Sequence, residues 1–141
     1  MSDITYVRDA QGRIVRRNYP DGSWVTWEYD CEGRLLRREH SDGKWEAYEY
    51  DAQGRIVRRN YPDGSSVSYQ YDAEGRIVRQ DYSDGSSVSY QWDAEGRMVR
   101  RDCSDGLSHQ YDAEGRIVRR ERSDGSHTSY QYDADGSVIE V

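Results

Sequence analysis

The sequence predicts an all-β chain: a meander of antiparallel β-hairpins, about 12–13 strands, in a strongly twisted, curled open sheet. Three observations predict it. The phrase Tyr-Asp-Ala-Glu-Gly-Arg-Ile-Val-Arg begins at Tyr71 and returns unchanged at Tyr111, with near-copies at Tyr29, Tyr50 and Trp92. A second phrase, Ser/Pro-Asp-Gly, lies between successive copies, as at Pro62-Asp63-Gly64 and Ser83-Asp84-Gly85. The runs between phrases favour β structure, and no stretch shows helical periodicity.

The units open near Asp9, Asp30, Asp51, Asp72, Asp93 and Asp112, with a terminal cap from Asp133. Successive steps are 21 residues, except for 19 between Asp93 and Asp112. Self-similarity at a fixed short period marks an array whose units are stabilised by their neighbours. Residues 1–141 therefore read as one repeat domain. All thirteen glycines belong to one phrase or the other. Each follows polar residues and precedes a β-favouring run, which is the chemistry of a tight hairpin turn ending at positive φ.

In the third unit the strands run over residues 55–61 and 65–71. In the second of these, Val67, Tyr69 and Tyr71 fall on one face and Ser66, Ser68 and Gln70 on the other. A three-residue loop Pro62-Asp63-Gly64 pairs Tyr61 with Ser65. An odd repeat length then requires one even turn to keep the aromatic face continuous. A four-residue loop Asp72-Ala73-Glu74-Gly75 meets that need and pairs Tyr71 with Arg76. The short unit lost two residues, so its parity survives.

Composition limits the core and the partners. Hydrophobic residues make up 34% and charged residues 33%, and thirteen Tyr and four Trp stand in for Phe, of which there is none. Tyrosine buries a ring and keeps a wet polar tip, which suits a thin sheet. A net charge of −7 argues against nucleic acid as the main partner. Arg58, Arg79, Arg100 and Arg119 form a ladder on the outer face, balanced by Asp81, Asp102 and Glu121. Cys31 falls in a turn and Cys103 in a strand, so no disulfide is expected, and reduced thiols fit the cytoplasm. No basic-then-apolar leader and no membrane span are read from the sequence.

The Tyr-Asp-x-x-Gly-Arg-Ile/Leu phrase at this spacing, with an Asp-Gly hairpin between copies, resembles the Rhs/YD repeat. It matches at Tyr29-Asp30, Tyr50-Asp51, Tyr71-Asp72 and Tyr111-Asp112, with Trp92-Asp93 a conservative variant, and covers nearly the whole chain. The resemblance implies β-hairpins wound into a hollow shell around a toxic domain. This chain is too short to close such a shell, and Asp133-Ala134-Asp135-Gly136-Ser137-Val138 loses the arginine. Genes for such toxins are typically followed by a small immunity gene. The resemblance therefore implies a non-enzymatic immunity protein that binds a cognate toxin domain and occludes its active site. The alternatives are a structural fragment or engineered piece of a YD shell, or an extracellular glycan- or surface-binding module.

No nucleophile motif, phosphate loop or metal-ligand spacing is visible, and His40, His109 and His127 are isolated. Neither catalysis nor a metal nor a cofactor is expected. Candidate partner-binding residues are those that break the repeat. Trp24 and Trp45 occupy a polar-face slot held by Ser66 and Ser87 in later units, where large rings suit a protein contact. Trp27, Lys44 and Glu46 lie beside them, with Glu46 facing Arg38 across its hairpin. In the shortened unit, Leu107 and His109 flank an expected notch, with Cys103 and His109 in tyrosine slots.

Overall fold

The computed structural model describes residues 3–141, and every regular element among them is a β-strand. Each strand lies beside the strands that precede and follow it in the chain, all antiparallel where paired. The first compact unit runs to Ser68 and the second covers Tyr69–Val141. The first holds β1 (Thr5–Arg8), β2 (Ile14–Asn18), β3 (Trp24–Tyr29), β4 (Leu35–His40), β5 (Trp45–Tyr50) and β6 (Ile56–Asn60). β7 (Ser66–Tyr71) begins in it. The second holds β8 (Ile77–Tyr82), β9 (Ser87–Trp92), β10 (Met98–Cys103), β11 (Ser108–Tyr111), β12 (Ile117–Glu121), β13 (His127–Tyr132) and β14 (Val138–Glu140). Among the described residues there are fourteen strands, above the expected range, because β1 and β14 flank the repeats proper.

The two phrases build the same turn. In the Asp-Gly phrase the Tyr61 amide donates to the Ser65 carbonyl at 3.0 Å and the Gly64 amide to the Tyr61 carbonyl at 3.1 Å. In the Tyr-Asp phrase the Asp51 amide donates to the Arg55 carbonyl at 2.9 Å and the Gly54 amide to the Asp51 carbonyl at 3.0 Å. Both are three-residue loops closed by a glycine at positive φ. Aspartate fits both, because its carboxylate accepts amides inside the turn. Asp63 accepts from Ser65, and Asp51 accepts from both Gln53 and Arg55.

The expected four-residue loop is therefore replaced by a different solution to the parity problem. Tyr50 pairs with Ile56 while Glu49 pairs with Arg58, so Val57 has no opposite number. The same shift skips Val15, Leu36, Val99 and Val118. Each is a β-bulge, one extra residue on one strand that restores the faces after an odd turn and adds local twist. An aliphatic residue rather than the arginine thus lies opposite each motif ring: Leu35 opposite Tyr29, Ile56 opposite Tyr50 and Met98 opposite Trp92. The Asp-Gly hairpin keeps the expected register, with Arg59 opposite Val67 and Asn60 opposite Ser66.

The core is thin, as the composition demands. Among the described residues only Val25 and Val88 are buried hydrophobics. The rings and the arginine stems are half-buried and shield one another.

Candidate functional site

Three groupings of side chains stand above the background of the repeat. The first is a clasp that recurs between successive repeats. Arg34 binds its own Asp30 at 2.7 Å, reaches the carbonyl of Asp51 at 3.4 Å, and lies over the Tyr50 ring at 5.0 Å. Tyr50 answers by donating its hydroxyl to the Leu35 carbonyl at 2.6 Å. Tyr29 and Tyr132 do the same to Ile14 and Ile117. Trp92 substitutes its indole N–H, donating to Ile77 at 2.8 Å. The Arg34 amide, against a burial cost, and then its guanidinium hold the Asp30 carboxyl below its ordinary value. Sequence reasoning placed these residues in turns and on a face but missed the clasp. The available signal was joint loss at the ends: Arg8 stands in the first ring slot and Ser137 in the last arginine slot.

The second grouping is the outer row of arginines. Arg79 pairs with Asp81 at 2.7 Å, Arg100 with Asp102 at 2.9 Å and Arg119 with Glu121 at 2.8 Å, as expected. Arg58 instead donates to Asn60 and to Ser66. In the first unit the same row explains the tryptophans. Arg16 lies over Trp24 at 4.6 Å and Arg37 over Trp45 at 4.4 Å. The polar-face rings therefore have an intramolecular partner.

The candidate residues of the second hairpin come together. Lys44, Trp45 and Glu46 line one cavity of about 260 Å³ with Arg38, His40 and Tyr61. Glu46 sits opposite Arg38, which approaches it at 3.4 Å, and accepts the Tyr48 hydroxyl. Burial, reinforced by that hydrogen bond, pushes the Tyr48 phenol up to about 12. Trp24 lines a separate cavity with Tyr19, Val25 and Ser41, and His40 borders both. Trp27 lies elsewhere, paired with Arg38 on the aromatic face and covered by Arg17 at 5.8 Å.

The third grouping is the shortened repeat. Leu107 borders a cavity of about 330 Å³ with Arg100, Asp102, Cys103, Ser108 and Glu121, the notch that the deletion predicts. His109 does not share it. Toward β10 it pairs with Arg101, where Val88 pairs with Gln80 one repeat earlier. Toward β12 it pairs with Arg120, where Tyr90 pairs with Arg101. The two missing residues thus merge the valine slot and the tyrosine slot into one position, and the tyrosine-slot reading is half of the answer. His109 is 8% exposed, with its Nδ1 buried and without a hydrogen-bond partner among the described residues. Burial, then Arg120 and Arg101, push the imidazole below its ordinary 6.5. Among the described residues no three potential metal ligands cluster.

No curated protein matches the chain by sequence. Solved structures match it by fold. A Tc holotoxin pore from Photorhabdus luminescens aligns at TM-score 0.68 and 15% identity over 96% of this chain. The crystal structures of TcdB2–TccC3–TEV and TcdB2–TccC3–Cdc42 align at TM-score 0.69, with 15% and 16% identity over 98%. The chain spans 9% of the length of each of those chains. At such identity the likeness is one of fold. The sequence adds the family, since residues 3–141 match the Teneurin YD-shell model, and the chain belongs to the YD-shell repeat family.

Proposed function

We propose that this chain is a wall segment of a protein shell, a non-catalytic repeat that encloses or borders a protein cargo. The clasp carries this reading. The ring, the aspartate and the arginine of the repeated motif are all engaged in joining one repeat to the next. Chemistry repeated along an array and directed at the neighbouring repeat serves continuity of a surface. The fold likeness to parts of Tc toxin chains supports it. The test is to graft residues 9–132 in place of an equal stretch of repeats in a YD-shell protein and to measure protease resistance of its cargo. Retained protection is expected. A folded graft whose cargo is digested as fast as naked cargo overturns the reading.

One observation favours a second reading, that of a cytoplasmic immunity protein closing the active site of a toxin domain. Lys44, Trp45 and Glu46, all departures from the repeat, share one cavity. Binding of a neighbouring toxin gene product, lost in Trp45→Ser without loss of fold, would support it.

A further inference from the structure

The shortened repeat does more than merge two slots. Elsewhere on the aromatic face the long polar side chains of neighbouring repeats are staggered. Across β3, Arg17 meets Val25 and Arg38 meets Trp27. Across β9, Gln80 meets Val88 and Arg101 meets Tyr90. The two contacts lie two residues apart, about 7 Å along the strand. Across β11 the stagger is gone, because Arg101 and Arg120 both face His109. Two arginines stand level, two strand spacings or about 10 Å apart, with one imidazole between them.

The same region leaves polar groups without partners around a cavity. The cavity measures about 210 Å³ and is lined by His109, Ile117, Arg120, Tyr130, Tyr132 and Val138. An equivalent one lies inside the array, lined by Ile77, Gln80, Tyr90, Trp92 and Met98, so its shape belongs to the repeat. There the polar groups satisfy one another, since the Tyr90 hydroxyl donates to Gln80 Oε1 at 2.9 Å. Here Arg120 takes the glutamine slot. Among the described residues neither the Arg120 side chain nor the Tyr130 hydroxyl makes a hydrogen bond or ion pair. On the outer face, by contrast, Arg119 is held by Glu121. His109 is 8% exposed, and its Nδ1 is buried without a partner. Glu140, opposite Tyr130, is an acid on this face, and among the described residues it pairs with no cation.

We propose that this cavity is a binding site for a carboxylate carried on a short apolar body, with Arg120 and Tyr130 donating to the carboxylate, His109 beside them, and Ile117, Tyr132 and Val138 holding the body. The guanidinium fork matches the two carboxylate oxygens. Arg101, level with Arg120 across His109, adds positive potential from the far side. A phosphate dianion fits less well, because the remaining walls are apolar and a second charge costs more to strip of water. A free small acid and an acidic side chain of a polypeptide present the same group.

Occupancy also acts on His109. Burial, then Arg120 and Arg101, hold its imidazole below the ordinary 6.5. An anion on Arg120 offsets that potential, so the occupied site takes up a proton more readily than the empty one. Affinity should therefore rise as pH falls below about 7. The other titratable groups around the imidazole are Tyr111 on its own strand, Cys103 on β10, and Tyr130 and Tyr132 across the cavity, and none of them is a carboxylate.

The experiment is calorimetric titration of the full chain with four probes: 3-phenylpropionate, its amide, inorganic phosphate, and a blocked peptide with one glutamate among alanines and leucines. Both carboxylates are expected to bind and the amide is not. A tighter peptide assigns the natural source to a polypeptide, and a tighter free acid assigns it to a small molecule. Arg120→Gln installs the residue that the repeat itself uses at Gln80, and should weaken binding about tenfold or more. Arg119→Gln, on the outer face, should leave it unchanged. From pH of about 7.5 to about 5.5 the affinity should rise about threefold or more, and His109→Gln should flatten that rise. Circular dichroism confirms the fold of each variant. Failure of both carboxylates to bind, equal binding of the amide, tighter binding of phosphate, or full binding by Arg120→Gln overturns the proposal. A pH-independent affinity overturns the place of His109 in it.

Discussion

Tyr50 donates its hydroxyl to the carbonyl of Leu35, fifteen residues earlier in the chain, at 2.6 Å. That bond satisfies a carbonyl at the start of β4, next to the Leu36 bulge, and ties the ring of one repeat to the backbone of the previous one. Tyr50→Phe removes the bond and keeps the ring. The expected loss is about 0.5–1.5 kcal/mol, read as a lower midpoint in urea. Tyr82→Phe is the control. Tyr82 is exposed and its hydroxyl meets only the Gln80 side chain, so its midpoint should move little. Equal effects from the two would deny the clasp its special place.

The turns make a second prediction. Gly75 has a φ of +81° and open space where a Cβ would stand. Gly75→Val meets backbone strain alone and should cost about 1–2 kcal/mol or more. Glu74→Lys at the exposed neighbouring position should stay within about 0.5 kcal/mol. Matching unfolding midpoints would remove the turn assignment.

Gly106 sets a harsher condition. At φ +89°, an added Cβ would lie 2.8 Å from Ser123 Cα, because the turn of the shortened repeat packs against the turn that follows. Gly85 has similar φ and nothing within 4 Å. Gly106→Ala should therefore lower the thermal midpoint more than Gly85→Ala, by the cost of moving one backbone turn off another. Melting curves of the two variants decide it.

His109 links the shortened repeat to pH. Its folded pKa lies below the unfolded 6.5 through burial and the facing Arg120 and Arg101. Below pH 6.5 the unfolded chain takes up a proton that the folded chain refuses. Stability should accordingly fall as pH drops from about 6.5 toward the folded value, then level off as far as this group is concerned. His109→Gln should flatten that part of the profile. A slope unchanged in the variant would assign it to other groups.

The tryptophans of the outer row carry a prediction that separates structure from partner binding. Trp24→Ser and Trp45→Ser each remove a ring beneath an arginine, worth about 0.5–1 kcal/mol at a partly exposed site. Small losses of stability with intact partner binding would mark them as supports for Arg16 and Arg37. A drop of tenfold or more in affinity for a toxin domain would mark them as contacts.

How much of this was legible depended on the range of each signal. The repeat, the turns at Asp63-Gly64 and Asp51–Gly54, and the polar outer row with Asp81, Asp102 and Glu121 follow from local pattern. The bulge at Val57 did not, because an extra residue in a strand and an extra residue in a turn leave the same alternation in the sequence. Only the three-residue closure of Asp51 on Arg55 tells them apart. The pairing of Arg16 with Trp24 and of Arg37 with Trp45 was hidden for another reason. Pattern puts the rings and the arginine row on one polar face, but it does not give the side-chain directions that bring Arg16 over Trp24 and Arg37 over Trp45. His109 was misread as filling a tyrosine slot only, since a deletion can be aligned from either side. The structure uses both alignments at once.

The reach of the clasp also bears on how the chain finds its structure. Tyr50 meets Leu35 across fifteen residues and Arg34 meets Asp51 across seventeen. Strand partners as distant as Val25 and His40, or Val88 and Cys103, are likewise close in the chain. An all-β protein ordinarily folds slowly because its strands must close long loops before they gain contacts. Here each closure is short, and each finished hairpin templates the next. Folding can start at any repeat and spread in both directions, so lengthening the array by a repeat need not slow its nucleation.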